Sequence, residues 1–249
     1  MPDRPVHLVA GASSGMGRRT ALALAVSGSL VVVAARRIGA LEALAAEIAA
    51  SGGNAEAMAF DGTDPQSVAE LIDRIERAHG RLDGAFNNLG DTLGDSPLHE
   101  TPPERWDATL AVNLTSVFHL MKHEIPLMLR TGGGRIVNTA STGGLRGTKA
   151  MSDYAAAKWG LIGLTRSAAL DYADQGIVIN AIAPGIIATE KFRAFEANMP
   201  DLFESLRLGT PVQRFGEMEE IAGLVRWLMT DAPAFLTGAV LPIDGGRTA

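Results

Sequence analysis

Short apolar runs alternate with segments of helical periodicity along the whole chain, and no linker, repeat or low-complexity tract separates them. Several runs are nearly continuous in Val, Ile, Leu and Ala, which is typical of strands covered on both faces of a sheet. Strands are predicted at Val6–Ala10, Leu30–Ala35, Ala55–Phe60, Leu82–Phe86, Arg135–Thr139, Val178–Ile182 and Val240–Ile243. Helices are predicted between them at Met16–Val26, Leu41–Ala50, Pro65–His79, Pro103–Leu129 (as two helices), Tyr154–Tyr172 and Met218–Met229.

This alternation predicts a single α/β domain over residues 1–249, a Rossmann-type doubly wound parallel sheet of about seven strands flanked by helices. Ligands of such folds bind at the carboxyl ends of the strands. The irregular stretch at about 184–214 is predicted to be a substrate loop or lid, because long loops in compact domains are often functional. Its apolar side chains favour an apolar wall or a packed helical lid: Phe192, Phe195, Met199, Leu202, Phe203 and Leu206.

Composition narrows the function classes. The 249 residues are 47% hydrophobic and 20% charged, a globular balance. A net charge of −6 argues against nucleic-acid and anionic-membrane partners, and the absence of cysteine excludes disulfides and zinc–thiolate sites. The N-terminus lacks the order of a signal peptide, and the longest apolar stretch, Ala21 to Ala35, is too short to span a membrane. We therefore expect a cytoplasmic protein.

A glycine-rich turn, Gly11-Ala12-Ser13-Ser14-Gly15-Met16-Gly17, follows the first predicted strand and opens the first helix. Gly11 permits a tight turn, Gly15 lets the backbone approach a pyrophosphate, and Gly17 allows close packing of helix on strand. The helix N-terminus offers free amides and a favourable dipole to phosphate. The alternative is an ordinary Gly-Ser turn, but its position after a strand favours dinucleotide binding.

The second predicted strand ends in Ala35, Arg36 and Arg37, where a dinucleotide fold contacts the adenosine ribose. A carboxylate at this point would favour NAD. Arginine instead binds a 2′-phosphate through charge-assisted hydrogen bonds, and Ser13 or Ser14 could add a hydroxyl. The residues favour NADP(H) as cofactor and leave NAD(H) possible; a solvated arginine pair is the alternative reading.

Tyr154 and Lys158 are spaced i,i+4 on a predicted helix, so their side chains share one face. An ammonium beside a phenol favours the phenolate and lowers a pKa that is ordinarily about 10. We therefore expect Tyr154 to exchange a proton near neutral pH, as hydride chemistry at a carbonyl requires.

These motifs and their order resemble the classical short-chain dehydrogenase/reductase family over essentially the whole chain. Besides the glycine-rich turn and the Tyr-Lys pair, the matching elements are Asp61-Gly62, Asn87-Asn88-Leu89-Gly90, Val112-Asn113-Leu114, Val137-Asn138-Thr139-Ala140-Ser141, Pro184-Gly185-Ile186-Ile187-Ala188-Thr189, Thr237-Gly238-Ala239-Val240 and Asp244-Gly245-Gly246. Ala10 and Leu89 depart from the family pattern, which has Thr and Ala there. A lost threonine hydroxyl would remove a hydrogen bond worth about 1 kcal/mol.

The resemblance implies an oxidoreductase that interconverts a carbonyl and a secondary alcohol. It implies catalytic roles for Asn113, Ser141, Tyr154 and Lys158, with Tyr154 as general acid/base and Lys158 also holding the nicotinamide ribose. The implied cofactor-binding residues are Gly11, Ser13, Ser14, Gly15, Met16, Gly17, Arg36, Arg37, Asp61, Gly62, Asn88, Leu89, Gly90, Tyr154, Lys158, Pro184, Gly185, Ile187 and Thr189.

The expected partners are a small-molecule carbonyl or alcohol and, by resemblance, further copies of the chain in a homotetramer or homodimer. The implied contacts involve helix Tyr154–Tyr172 and the helix around Leu114–Leu129. His119 and His123 could begin a metal site, but no third ligand is evident nearby, and we expect no metal. The alternative functions are an NAD-dependent alcohol or sugar dehydrogenase and a non-catalytic nucleotide-binding regulator.

Overall fold

The computed structural model describes residues 4–196 and 199–249, so the N-terminal residues Met1, Pro2 and Asp3 lie outside it. The strands are β1 (Val6–Ala10), β2 (Leu30–Ala35), β3 (Asn54–Ala59), β4 (Gly84–Asn87), β5 (Gly134–Thr139), β6 (Ile177–Pro184) and β7 (Val240–Ile243). They form one parallel sheet in the order β3-β2-β1-β4-β5-β6-β7. The predicted doubly wound sheet is confirmed, and its order reverses at β1 and β4, where such folds bind ligands.

The helices are α1 (Gly15–Val26), α2 (Ile38–Ala50), α3 (Pro65–His79), α4 (Pro103–Leu110), α5 (Ser116–Arg130), α6 (Ser152–Tyr172), α7 (Glu190–Glu196), α8 (Pro200–Leu208) and α9 (Met218–Thr230). A π-helical turn, Ala111–Thr115, joins α4 to α5. The prediction of two helices within Pro103–Leu129 is therefore correct. Helix α3 begins at Pro65, where the Asp64 side chain accepts the N–H of Gln66 at 3.0 Å.

Side chains on the buried strands alternate between two cores. In β1, Leu8 packs with α3, α5 and α6, whereas the next residue, Val9, packs with α1, α2 and α9. All residues of β1 and β6 are buried, which explains why their sequences are apolar on both faces, with His7 and Asn180 as the polar exceptions. The two helix layers leave the carboxyl edge of the sheet as the place where polar residues can meet.

The stretch predicted as irregular is not a loop throughout. It forms α7 and α8, and Phe192, Phe203 and Phe215 form a cluster with ring centroids 4.4, 4.8 and 6.1 Å apart. Apolar contact between these rings accounts for helix formation in a stretch with few apolar residues at regular spacing. The side chain of Phe195 lies outside the described part of the structure.

Candidate active site

A cavity of about 860 Å³ opens at the carboxyl ends of β1, β4 and β5. Most residues predicted to bind a cofactor or act in catalysis line it: Gly11, Ser13, Ser14, Gly15, Met16, Arg36, Arg37, Asp61, Gly62, Asn88, Leu89, Gly90, Ser141, Tyr154, Lys158, Pro184, Gly185, Ile187 and Thr189. Two predicted residues do not line it. Gly17, the last residue of the glycine-rich turn, is buried against the backbone of Gly11, and Asn113 is buried behind Gly90.

The glycine-rich turn needs its glycines for two distinct reasons. Gly11 has φ +83°, and a Cβ there would collide with the backbone oxygen of Asn88. Gly17 has no unusual φ, but a Cβ on it would collide with the backbone oxygen of Gly11. The turn is thus pressed against the end of β4, and α1 starts at Gly15 with its amides directed towards the cavity edge.

Next to the glycine-rich turn, Arg36 and Arg37 are exposed just after β2. The guanidinium of Arg37 donates to the Ser13 hydroxyl at 3.1 Å, which joins the end of β2 to the glycine-rich turn. Hydrogen bonds from the Thr63 N–H and hydroxyl lower the pKa of Asp61, burial opposes them, and the charge of Arg36 adds to the lowering. This end therefore combines two cations with an ionised carboxylate.

Asn88 keeps its place despite the two departures from the family pattern. Ala10 offers no hydroxyl, but its carbonyl accepts the N–H of Asn88 at 3.1 Å. On the far side, the Thr139 hydroxyl donates to Asn88 Oδ1 at 3.2 Å. Leu89 fills the space next to Gly62, where a Cβ would collide with its Cδ1. Asn88 is therefore held between β1 and β5 without the missing hydroxyl.

Five residues form what we call the polar centre: Asn113, Thr139, Ser141, Tyr154 and Lys158. Lys158 is 2% exposed, and its ammonium donates to the Thr139 carbonyl at 2.9 Å. Its Nζ lies 5.7 Å from the centroid of the Tyr154 ring. The Ser141 side chain hydrogen-bonds Tyr154 and accepts the Gly143 N–H at 3.1 Å. Tyrosine, lysine and serine thus meet at the cavity wall, as the sequence predicts.

Protonation in the polar centre differs from the prediction. Burial raises the pKa of Tyr154, the Ser141 hydrogen bond opposes this, and the charge of Asp91 adds to the rise. Burial also lowers the pKa of Lys158 to about 7. The expected lowering of the Tyr154 pKa is therefore wrong for this structure, because burial dominates and a lysine that titrates near neutrality is only partly charged.

Asn113 lies in the π-helical turn between α4 and α5, a distortion often found at functional sites. Its Nδ2 donates to the carbonyls of Asp91 and Thr109 at 2.9 and 3.0 Å. Its Oδ1 has no hydrogen-bond partner among the described residues. A Cβ added to Gly90 would meet both this oxygen and the ammonium of Lys158, so the two groups lie together beneath Gly90.

Three features of the site were not assigned from the sequence. Thr139 supplies the carbonyl that binds Lys158, and only its place directly before Ala140 and Ser141 could have indicated this. Asp91, which follows Gly90, brings a negative charge near Tyr154. Asp153 is buried next to Tyr154 and pairs with Arg105 at 3.1 Å, a contact across 48 residues that no local pattern reveals.

Among the described residues there is no group of three metal-ligating side chains around His119 and His123 or elsewhere. No helix within the described residues is long and apolar enough to cross a bilayer.

The comparisons with known proteins agree on one family. A family model described as enoyl-(acyl carrier protein) reductase matches residues 11–248. Cyclohexanol dehydrogenase of Acinetobacter sp. (strain SE19) is 41% identical over 99% of this chain and 96% of that protein. 2,5-Dichloro-2,5-cyclohexadiene-1,4-diol dehydrogenase of Sphingobium indicum is 40% identical over 97% and 96% of the two chains. A crystal structure of a variant of actinorhodin polyketide ketoreductase with NADPH superposes with a TM-score of 0.94 at 30% identity, covering 100% and 98%.

Proposed function

The chain belongs to the short-chain dehydrogenase/reductase family, as an NAD(P)-dependent enzyme acting on CH–OH groups, and we propose that it interconverts a cyclic secondary alcohol and its ketone with NADP(H). The observation that carries the proposal is the polar centre, where Tyr154, Ser141 and buried Lys158 converge on one wall of the cavity. A protein that only binds a nucleotide has no need of this set.

The cavity fits the implied cofactor on its own geometry. The glycine-rich turn leaves no room for side chains at Gly11 and Gly17, so backbone amides and the start of α1 face an anionic ligand. Arg36 and Arg37 stand at the end of β2, directly after Ala35, which carries no carboxylate to accept from a ribose 2′-hydroxyl. These cations support NADP(H) over NAD(H).

When bound, the nicotinamide supplies or accepts the hydride. Tyr154 keeps its proton near neutral pH because its pKa is raised, so it can donate that proton to a carbonyl oxygen in the reductive direction. The Ser141 hydroxyl would bind the same oxygen and stabilise the charge that develops on it. Lys158, held by Thr139, would bind the nicotinamide ribose.

Asn113 completes the proton path. Its unpartnered Oδ1 lies with the Lys158 ammonium beneath Gly90, which suits it to hold a water molecule between Lys158 and solvent. Because the pKa of Lys158 is about 7, this lysine can lose and regain a proton without a large energy difference at neutral pH. In alcohol oxidation the same groups would carry the proton outwards.

The substrate class rests on two observations. The names of the two relatives denote alcohols of six-membered carbon rings. In this chain, α7 carries Phe192 of the aromatic cluster, and the Phe192 N–H donates to the hydroxyl of Thr189, which lines the cavity. An apolar segment that continues from the cavity wall in this way would suit a carbocycle that presents one oxygen to Ser141 and Tyr154.

The test is a turnover assay with NADP and NAD over a panel of cyclic, linear and sugar alcohols and the matching ketones. Tyr154→Phe deletes the exchangeable proton and keeps the ring, so turnover should nearly vanish while NADP binding survives. The chain's other tyrosine provides the control, since Tyr172→Phe should retain activity. Substantial turnover by Tyr154→Phe would overturn the mechanism. Tight NADP binding without turnover by the wild type would favour a nucleotide-binding regulator.

Cofactor choice has its own experiment. The guanidinium–phosphate bond should contribute about 1.5–3 kcal/mol, so Arg36→Ala should weaken NADP binding far more than NAD binding. Ala35→Asp should shift the preference towards NAD, because a carboxylate accepts from the ribose 2′-hydroxyl. Equal losses for both cofactors in titrations of Arg36→Ala would refute the NADP assignment.

For assembly we propose a homotetramer or homodimer through α5 and α6. Phe118, Trp159 and Leu170 are large apolar side chains exposed on these helices, with Leu170 83% exposed. Gly163 of α6 has open space where a Cβ would stand, so another helix could approach closely. Light scattering at micromolar concentration should show an oligomer; a monomer alone would contradict the proposal.

A further inference from the structure

Glu124 is a carboxyl group buried completely within the core, on α5. It accepts one hydrogen bond, from the side-chain amide of Asn87 at 3.1 Å to Oε2. Its other oxygen, Oε1, has no partner among the described residues, and neither has Oδ1 of Asn87. An ionised carboxylate in this position would be a buried charge without a counter-ion, which is strongly unfavourable.

The two unpartnered oxygens belong to the same pair of side chains. Asn87 Nδ2 uses both of its protons, one for Glu124 Oε2 and one for Asn138 Oδ1 at 3.1 Å. Its carbonyl oxygen is left to accept. A proton on Glu124 Oε1 would give Asn87 Oδ1 a donor. The carboxylic acid and the amide would then be joined by two hydrogen bonds in a ring. A single proton would thus satisfy both atoms.

We propose that Glu124 is a neutral carboxylic acid in the folded protein, donating its Oε1 proton to Asn87 Oδ1, and that this acid–amide pair positions the strand ends beneath the cofactor site. Burial raises the pKa of Glu124 to about 8, opposed by the Asn87 hydrogen bond. The residue is a positioning residue, because it acts through Asn87.

The pair is connected to both sides of the site. Asn87 directly precedes Asn88, which is held between β1 and β5, and it is the register partner of Asn138. Asn138 Nδ2 donates to the Thr165 hydroxyl of α6 at 3.0 Å and contacts Met121 Sδ of α5 at 3.3 Å. The next residue, Thr139, supplies the carbonyl that binds Lys158. Loss of the acid–amide pair would therefore loosen both strand ends.

Burial and the Asn87 hydrogen bond determine the pKa of Glu124. No charged group in the described parts of the elements packed around it contributes. The nearby cations have other partners. Lys158 of α6 donates to the Thr139 carbonyl, and Arg130 at the end of α5 pairs with Glu76 of α3. Arg135 at the start of β5 donates to the Leu228 carbonyl. His119, Lys122 and His123 lie on α5 itself, but only Glu124 faces Asn87. The protonation state of Glu124 is therefore determined by its burial and by Asn87.

The direct test is isotope-edited infrared spectroscopy of the wild-type protein, with Glu124→Gln used to assign the band. At pH 6 the difference spectrum should contain the C=O stretch of a protonated carboxylic acid and should lose it as the pH rises through about 8. A carboxylate band at pH 6 would overturn the proposal. This measurement needs no cofactor.

The second test compares stability at several pH values. A folded-state pKa above the ordinary value of 4.5 means that stability falls as pH rises from about 4.5 and stops falling above about 8. Glu124→Gln carries a permanent donor in place of the acid proton. The folding constant of the wild type should therefore fall relative to that of the variant, about tenfold per pH unit and about 100-fold between pH 5.5 and 7.5.

Two further variants separate the donor from the mere loss of a charge. Glu124→Met has a similar shape but no donor, so it should be less stable than Glu124→Gln at every pH. Glu42→Gln removes an exposed carboxylate on α2 and should show no such pH dependence. A difference between wild type and Glu124→Gln that stays constant with pH, or equal stability of the Gln and Met variants, would refute the acid–amide pair.

A last measurement connects the pair to cofactor binding and rests on the proposed function. Wild-type affinity for NADP should weaken between pH 7 and 9, and Glu124→Gln should show a smaller loss. The infrared and stability results do not involve the cofactor, so a protein that binds no NADP would leave them intact. Identical pH profiles of NADP binding for the two proteins would remove the positioning role.

Discussion

In the polar centre, ionisable and polar side chains are buried or half-buried with few partners. In the segment from Pro184 to Gly216, which contains α7 and α8 and is called the 184–216 segment below, charged side chains lie at the surface in ion pairs. Lys158 is 2% exposed and is held by one carbonyl. Arg193, on α7, is 57% exposed and pairs with Glu217 through two bonds of 2.8 and 3.1 Å. Both regions border the same cavity.

The difference shows that the number of contacts is a poor guide to what a side chain contributes. An exposed ion pair replaces hydration that both partners already had, so its loss changes little. A buried ionisable group has lost its hydration, so its protonation state and its one or two partners decide whether the strand ends keep their positions. We expect the polar centre to be sensitive to single substitutions and the surface of the 184–216 segment to be tolerant.

The largest effect is expected for Lys158→Ala. The ammonium of Lys158 is proposed both to relay the proton and to bind the nicotinamide ribose. Its removal should therefore lower turnover by about 10²–10⁴-fold and weaken NADP binding as well. Lys149→Ala, at an exposed position, is the control and should change neither. Steady-state kinetics and cofactor titration measure the two losses. Unchanged cofactor affinity in Lys158→Ala would contradict the double role.

The protonation of Lys158 should also be visible in stability. Its folded-state pKa, about 7, lies below the ordinary 10.5, so the folded state gains stability as pH rises from about 7 to 10.5 and loses it as pH falls through 7. Relative to Lys158→Met, the wild type should gain about 2 kcal/mol between pH 7 and 9. Urea unfolding at several pH values measures this. The dependence is opposite in sign to that of Glu124, and a flat difference would show that Lys158 is not titrating in this range.

The sequence predicted the two regions unequally for physical reasons. The strand ends could be located because the apolar strands β1, β2 and β7 are bounded by turn residues, and their predicted limits are those observed. The site residues could be located because their spacing is local: a turn of seven residues, or one helical step between Tyr154 and Lys158. The sequence left a packed helical lid open for this segment but did not locate α7 and α8, because contacts between Phe192, Phe203 and Phe215 form only after folding.

The protonation states were beyond the sequence for the same reason. Burial decides the pKa of Tyr154, and burial depends on how α6 packs on β5 and β6 rather than on the i,i+4 spacing. Glu124 reads as one charge on an amphipathic helix until Asn87 is placed next to it from 37 residues away. The position of a motif can therefore be predicted from local spacing, but the protonation states of its side chains depend on long-range packing.

A smaller effect is expected from the apolar side of the 184–216 segment. Phe203→Ala removes two aromatic contacts, each contributing about 0.5–1.5 kcal/mol, so α7 and α8 should open more readily by about 1–3 kcal/mol. Hydrogen exchange should increase within residues 190–208 and stay unchanged in β1 and β6. The KM for a cyclic substrate should rise more than kcat falls. Faster exchange throughout the sheet would show that the segment belongs to the main core.

The smallest effect is expected for the exposed pair of Arg193 and Glu217. Arg193→Met keeps the aliphatic stem and removes the charge, and we expect a change in the free energy of unfolding of about 0–1 kcal/mol, smaller still in high salt. A double-mutant cycle with Glu217→Gln isolates the pair from the role of Glu217 in capping α9, where its side chain accepts a backbone N–H. Thermal unfolding in low and high salt measures both quantities. A coupling as large as the pH effect of Lys158 would abolish the contrast between the two regions, because it would mean that an exposed pair and a buried lysine constrain this fold equally.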